Sequence, residues 1–187
     1  MKSIAITVLT LFLSLNVFSQ TSDDFFKSAK AKQDVRDYIG AIEDYKKGFA
    51  LNPKPALEDF ARYETLYTDS GLCKENNDDF KGALVDYNKI LEFLPESAAA
   101  KIHILIAKIG LQDYDAVMKE CSSRISKDPN DYKAYYYRGF CNVQIAENTK
   151  GCADLNKAKE LFVASQVIDA DFLKELTAQI ANNCFEH

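Results

Sequence analysis

The chain writes one sentence several times. Residues 37–53 read DYIGAIEDYKKGFALNP, and residues 78–95 read DDFKGALVDYNKILEFLP. A third copy, DYDAVMKECSSRISKDP, ends at Pro129. Pro95 and Pro129 are 34 residues apart, and one further step of that size reaches Val163, near the end of KGCADLNKAKELFV. A fixed period of this size confines the chain to a row of small supersecondary units. One such unit cannot bury its apolar face alone, so each must stack on the next.

The unit itself reads as helical. A bulky residue stands at Tyr38, Phe80 and Tyr114, with Asn148 breaking the series. Three residues on come Ala41, Ala83, Val117 and Gly151, then Tyr45, Tyr87, Cys121 and Leu155, then Gly48, Ile90, Arg124 and Ala158. Steps of three and four residues place these on one helix face. The small ones let two helices approach, and the larger ones fill the space beside them. The proline ends the helix because it has no N–H to donate. Upstream, FFKSAKAK, TLYTDSGLCKE, KIHILIAKIG and AYYYRGFCNV place Ala29, Gly71, Leu105 and Gly139 at equivalent points. Leu105 departs from the small-residue rule and predicts looser or tilted packing in its unit. Only seven glycines and four prolines punctuate the chain, which favours long helices over many short strands.

The A-x-x-x-Y pattern, the terminal proline and the upstream aromatic-then-glycine resemble the tetratricopeptide repeat (TPR), a helix–turn–helix unit of about 34 residues. The resemblance covers about residues 22–163. It implies an all-α solenoid, a right-handed superhelix of helix–turn–helix repeats at about 22–55, 56–97, 98–131 and 132–165. The step from Pro53 to Pro95 is 42 residues, and the extra sequence KPALEDFARYE contains no glycine. With Pro55 suited to a helix start, it predicts a lengthened helix over roughly 56–75. Beyond Val163, Phe172, Leu173, Leu176, Ile180 and Cys184 form a helical stripe. This predicts a closing helix over about 169–185, capped by Asp169 or Asp171, that covers the last repeat.

The first residues are different material. MKSIAITVLTLFLSLNVFSQ carries one positive charge, an apolar run from Ile4 to about Leu15, and the small-residue pattern Val17-Phe18-Ser19. This is the layout of a secretory signal peptide over residues 1–19, leaving a mature domain over 20–187. The run is short for a membrane span, so no transmembrane segment is expected in the mature chain. The expected location is periplasmic or extracellular, in or near the cell envelope. The net charge of −5 becomes −6 on loss of the leader and argues against nucleic acid as a partner.

Five cysteines, Cys73, Cys121, Cys141, Cys152 and Cys184, leave at least one thiol free. Cys152 opens the second helix of the fourth repeat and Cys184 ends the closing helix. Antiparallel neighbours bring such ends together, and GCADLNKAKEL with a terminal Cys looks like the last repeat of many exported bacterial TPR proteins. Both favour a Cys152–Cys184 bridge, closing a loop of about 32 residues and contributing about 3 kcal/mol. The rival is Cys141 with Cys152 across the turn. Cys73 and Cys121 read as small buried hydrophobes.

Nothing in the chain spells a catalytic signature: HExxH, a Gly-rich phosphate loop and GxSxG are all missing. KENNDDF lacks calcium-loop spacing and reads as a turn. No metal, cofactor or enzymatic activity is expected, and His103 in KIHILIA reads as a packed or rim histidine. The resemblance implies instead a concave groove lined by the first helix of each repeat, taking a partner peptide or helix. Its positions fall on Phe26 and Lys30; on Thr68, Leu72 and Asn76; on Ile102, Ile106 and Ile109; and on Lys133, Tyr136, Phe140 and Val143. The last two sets are mainly apolar and aromatic, the composition of an interaction surface. The same side chains could instead pack on one another or under the closing helix. A further alternative is an assembly component of an envelope complex that uses helix edges and ends.

Overall fold

The computed structural model describes residues 20–54 and 56–184. The expected leader, Pro55 at its helix start and residues 185–187, which include His187, lie outside the described residues. Those described form nine α-helices and one short 3-10 turn, with no strand among them. The chain divides into two compact units between Asn77 and Asp78.

The first unit holds α1 (Ser22–Asp34), α2 (Tyr38–Leu51), the 3-10 turn (Leu57–Asp59) and α3 (Phe60–Glu75). A capping box joins Thr21 and Asp24 at the start of α1. The insertion does not lengthen the helix back to residue 56. It forms the single 3-10 turn, and α3 begins at Phe60. The core of this unit is aromatic. Phe26, Tyr45, Tyr63 and Tyr67 are buried, and Phe49 stacks on Tyr67 with ring centroids 3.9 Å apart. Gly48 makes room for this, since a Cβ there would stand 2.3 Å from the Phe26 ring.

The second unit holds α4 (Phe80–Phe93), α5 (Ala98–Gly110), α6 (Tyr114–Lys127), α7 (Tyr132–Gln144), α8 (Asn148–Ala164) and α9 (Ala170–Asn183). Helices α2, α4 and α6 each end two residues before their proline. No proline stands at Val163, and α8 runs 17 residues where those three run 14. The turns inside the repeats share one solution. Arg36, Asp78, Gln112 and Ala146 take positive φ of 59–63°. The following residue is the helix cap, and the carboxylates of Asp37, Asp79 and Asp113 accept the N–H of Gly40, Gly82 and Ala116. Glu147 makes no such bond.

The register read from the sequence lands in the core. Ala29, Ala41, Tyr45, Ala83, Tyr87, Ile90, Leu105, Val117, Cys121, Leu155 and Ala158 are fully buried. Arg124 departs: it is half-buried and pairs with Asp131 at 2.8 Å. A buried acid one position ahead of the core residue is a second repeated device. Asp44 meets Lys32 at 2.6 Å and Asp154 meets Arg138 through two 2.8 Å bonds, while in the third repeat the half-buried Glu120 stands 3.0 Å from Lys108.

Helix α9 is capped by Asp169, which accepts the Phe172 N–H at 2.9 Å. It buries Leu176 and Ile180 with Leu155, Ala158 and Tyr136. Cys152 and Cys184 are joined, with Cα atoms 5.4 Å apart. Cys141, the rival partner, is buried and outside any disulfide, as are Cys73 and Cys121.

Candidate functional site

The groove positions fall into three groups. In the first unit, Phe26 is only 4% exposed. Its ring fills the space over Gly48 and is edge-on to Tyr63, so it is core and not groove lining. Lys30 is exposed and pairs with Asp69 at 3.5 Å. Thr68 and Leu72 are half-buried. Asn76 spends its side-chain amide on the Leu72 carbonyl at the end of α3.

In the second unit two further positions change role. Tyr136 is 4% exposed. It lies against Phe172 of α9, with ring centroids 5.2 Å apart, and its hydroxyl donates to Glu175 Oε1 at 2.5 Å. Burial, reinforced by that carboxylate, pushes its phenol well above the ordinary tyrosine range. Val143 turns into the hairpin seam, where its methyl group occupies the space a Cβ on Gly151 would need. Of the two accounts of these side chains, packing under the closing helix is the one Tyr136 follows.

The third group gathers. Ile106 and Ile109 from α5, Tyr137 and Phe140 from α7, and Phe172 and Glu175 from α9 surround a pocket of about 230 Å³, with the Tyr136 ring as its floor. The helix pattern explains the assembly: α5 and α7 each present residues one turn apart, and α9 closes the side. Toward the starts of α5 and α7 lies a wider, cationic depression of about 790 Å³. Ile102, His103 and Lys133 line it with Arg124, Lys127 and the Lys101–Glu96 ion pair.

His103 is stacked against Tyr87 at 5.0 Å between ring centroids, and its Nδ1 is buried without a hydrogen-bond partner. Burial lowers its pKa, which keeps the ring neutral at pH 7. Burial also raises the thiols of Cys121 and Cys141 to about 12. They are protonated at neutral pH and poor nucleophiles. Among the described residues no cluster of His, Cys, Asp or Glu is arranged to hold a metal ion. No helix among them is long and apolar enough to cross a membrane.

No protein-family model matches the chain. Solved structures do. The C-terminal part of a TPR repeat-containing protein from Cytophaga hutchinsonii is 19% identical, with a TM-score of 0.60 over 94% of this chain and 66% of that one. A tetratricopeptide repeat protein from Parabacteroides merdae is 17% identical, with a TM-score of 0.59 over 87% of this chain and 60% of that one. The chain has the tetratricopeptide-repeat fold. MamA from Desulfovibrio magneticus RS-1 shares it, at 16% identity and a TM-score of 0.58 over 86% of this chain and 93% of that one. Among curated proteins, human peptidyl-prolyl cis-trans isomerase FKBP4 is 21% identical over 140 residues. That match spans 67% of this chain but only 30% of the isomerase.

Within this TPR chain, reading the sequence missed Tyr137, Phe172 and Glu175. Tyr137 neighbours a named position, and its contribution follows from the rotation of α7. Phe172 was legible as part of an apolar stripe. Glu175 carried no signal, since a carboxylate on a closing helix reads as solvated surface.

Proposed function

We propose that this protein is an exported interaction module whose working surface is the inner face of α5 and α7, walled by α9. The observation that carries the reading is the apolar pocket between those helices, built from Ile106, Ile109, Tyr137, Phe140 and Phe172. Side chains of this kind, half-exposed in one concave place, mark a site for a partner segment. One aromatic or aliphatic anchor buried there would contribute roughly 2 kcal/mol. The apolar leader at the N-terminus and the Cys152–Cys184 bridge support placement in an oxidising compartment outside the cytoplasm.

The test is affinity capture from envelope extracts, with the protein and its Ile106→Glu and Phe140→Ala variants side by side. Tyr136 is unsuitable for this purpose because it is core. Circular dichroism first shows that the variants keep their helices. A partner held by the parent and lost by both variants supports the groove; a partner held equally by all three removes it. A second reading, an assembly component working through helix ends, is favoured by Val163, Val167 and Ile168 at the α8–α9 turn. Ile168 is 99% exposed there. Concentration-dependent oligomers abolished by Ile168→Asp, with Ile106→Glu silent, would put that reading first.

A further inference from the structure

The pocket holds one charged group. Glu175 is exposed on α9 and accepts a hydrogen bond from the Tyr136 hydroxyl. Among the described residues no ion pair to it is found. The rings of Tyr136, Tyr137, Phe140 and Phe172 line the same pocket. The negative faces of aromatic rings attract a cation, and a carboxylate lining the same pocket adds a counter-charge. A wholly apolar occupant would strip water from Glu175 and return nothing for it. An acidic occupant would be repelled. The volume, about 230 Å³, is below the roughly 300–1,000 Å³ of small-molecule sites. It suits a single side chain.

We propose that this pocket takes a basic side chain from the partner segment, its alkyl stem over Ile106 and Ile109 and its cationic head between the aromatic rings and Glu175. Long basic side chains divide in this way, stem on apolar surface and charge at the polar edge. The other end of the same helix pair fixes the direction. Lys127 and Lys133 line the depression at the starts of α5 and α7 beside the Lys101–Glu96 and Arg124–Asp131 pairs; its balance is positive, so a basic residue is disfavoured there and drawn toward Glu175. The proposal rests on reading this groove as the working surface.

The test is a selection of random heptapeptides displayed on phage against the immobilised, disulfide-intact protein. The enriched peptides are then titrated by fluorescence anisotropy against the parent, Glu175→Gln and Phe140→Ala. Glutamine keeps an acceptor for the Tyr136 hydroxyl, so folding is preserved. The expected result is enrichment of Lys or Arg beside an aliphatic residue, with affinity about tenfold weaker for Glu175→Gln. Replacing that basic residue with norleucine should weaken binding to the parent similarly and leave binding to Glu175→Gln unchanged. Peptides without a basic residue, lost on Phe140→Ala but indifferent to Glu175→Gln, overturn the cation site and leave the groove standing. Enriched peptides indifferent to both substitutions overturn both.

Discussion

The hairpin of α7 and α8 and the hairpin of α5 and α6 come from the same repeat and solve the same packing problem differently. In the α7–α8 hairpin Gly139 faces Gly151. A Cβ on either would stand 2.9 Å from the other's carbonyl oxygen, so the two backbones touch. In the α5–α6 hairpin the equivalent residues are Leu105 and Val117, both fully buried, and side chains fill the seam. The glycine hairpin brings its two backbones into contact and is then clamped by a disulfide and a closing helix. The leucine hairpin is held by side-chain packing and the Lys108–Glu120 ion pair, with no covalent clamp. The pocket opens where the two meet, between α5 and α7. Two versions of one repeat, unequal in thickness, leave room for a site that a perfectly regular array would fill.

The largest expected effect comes from erasing that inequality. Gly151→Val writes the third repeat's residue into the fourth and drives a side chain into Val143 and the facing backbone. The cost should be about 3 kcal/mol or more, read as a fall in the urea midpoint of the full chain. A cost under about 1 kcal/mol would mean the backbone contact does not set the hairpins apart. The next effect is the clamp. Cys152→Ser with Cys184→Ser should lose about 3 kcal/mol. Hydrogen exchange should locate the loosening in α9 and the end of α8, with α5 and α6 keeping their protection. Equal loosening of both hairpins would show that the clamp serves the whole unit.

A smaller effect depends on pH and extends the comparison to the hairpin of α1 and α2. Burial opposes ionisation of Asp44, but hydrogen bonds from Lys32 and Ser28 outweigh it and hold its pKa below the ordinary carboxylate value. A carboxylate lowered on folding contributes stability that is fully present above its unfolded pKa, near 3.8. That contribution is lost as pH falls through the lower, folded value. Asp44→Asn should therefore destabilise at pH 7 and flatten the stability curve below about pH 4. An unchanged acid limb would remove Asp44 from the account. The smallest effect is a gain. Ala146 sits at φ 63° with no polar side chain to support that conformation. Ala146→Gly should add about 0.5–1 kcal/mol, seen as a rise in Tm of a few degrees.

Much of this was legible before any coordinates, and the particular residues show why. Ala29, Ala41, Gly139 and Gly151 were found by period alone, because helix packing needs small residues at fixed steps and writes them into the chain. The prolines that end α2, α4 and α6 were equally plain, since a missing N–H acts wherever it stands. Phe26 was placed in a groove that it does not line, and Tyr136, which does border the pocket, is also core beneath the closing helix. Phe26 depends on the absence of a side chain at Gly48, and Tyr136 on Phe172 and Glu175, which follow it by more than thirty residues.

The sequence by itself determined the helices, the proline-marked ends, the repeat register and the residues of the seams, because each of these follows from local spacing and backbone chemistry. Only the tertiary structure decided which half-apolar side chains were core and which faced open space. It also decided that one carboxylate of the closing helix would share a pocket with four aromatic rings. Those outcomes depend on where separate helices come to rest against one another, and a helical period fixes which face of a helix packs without naming the partner it will meet.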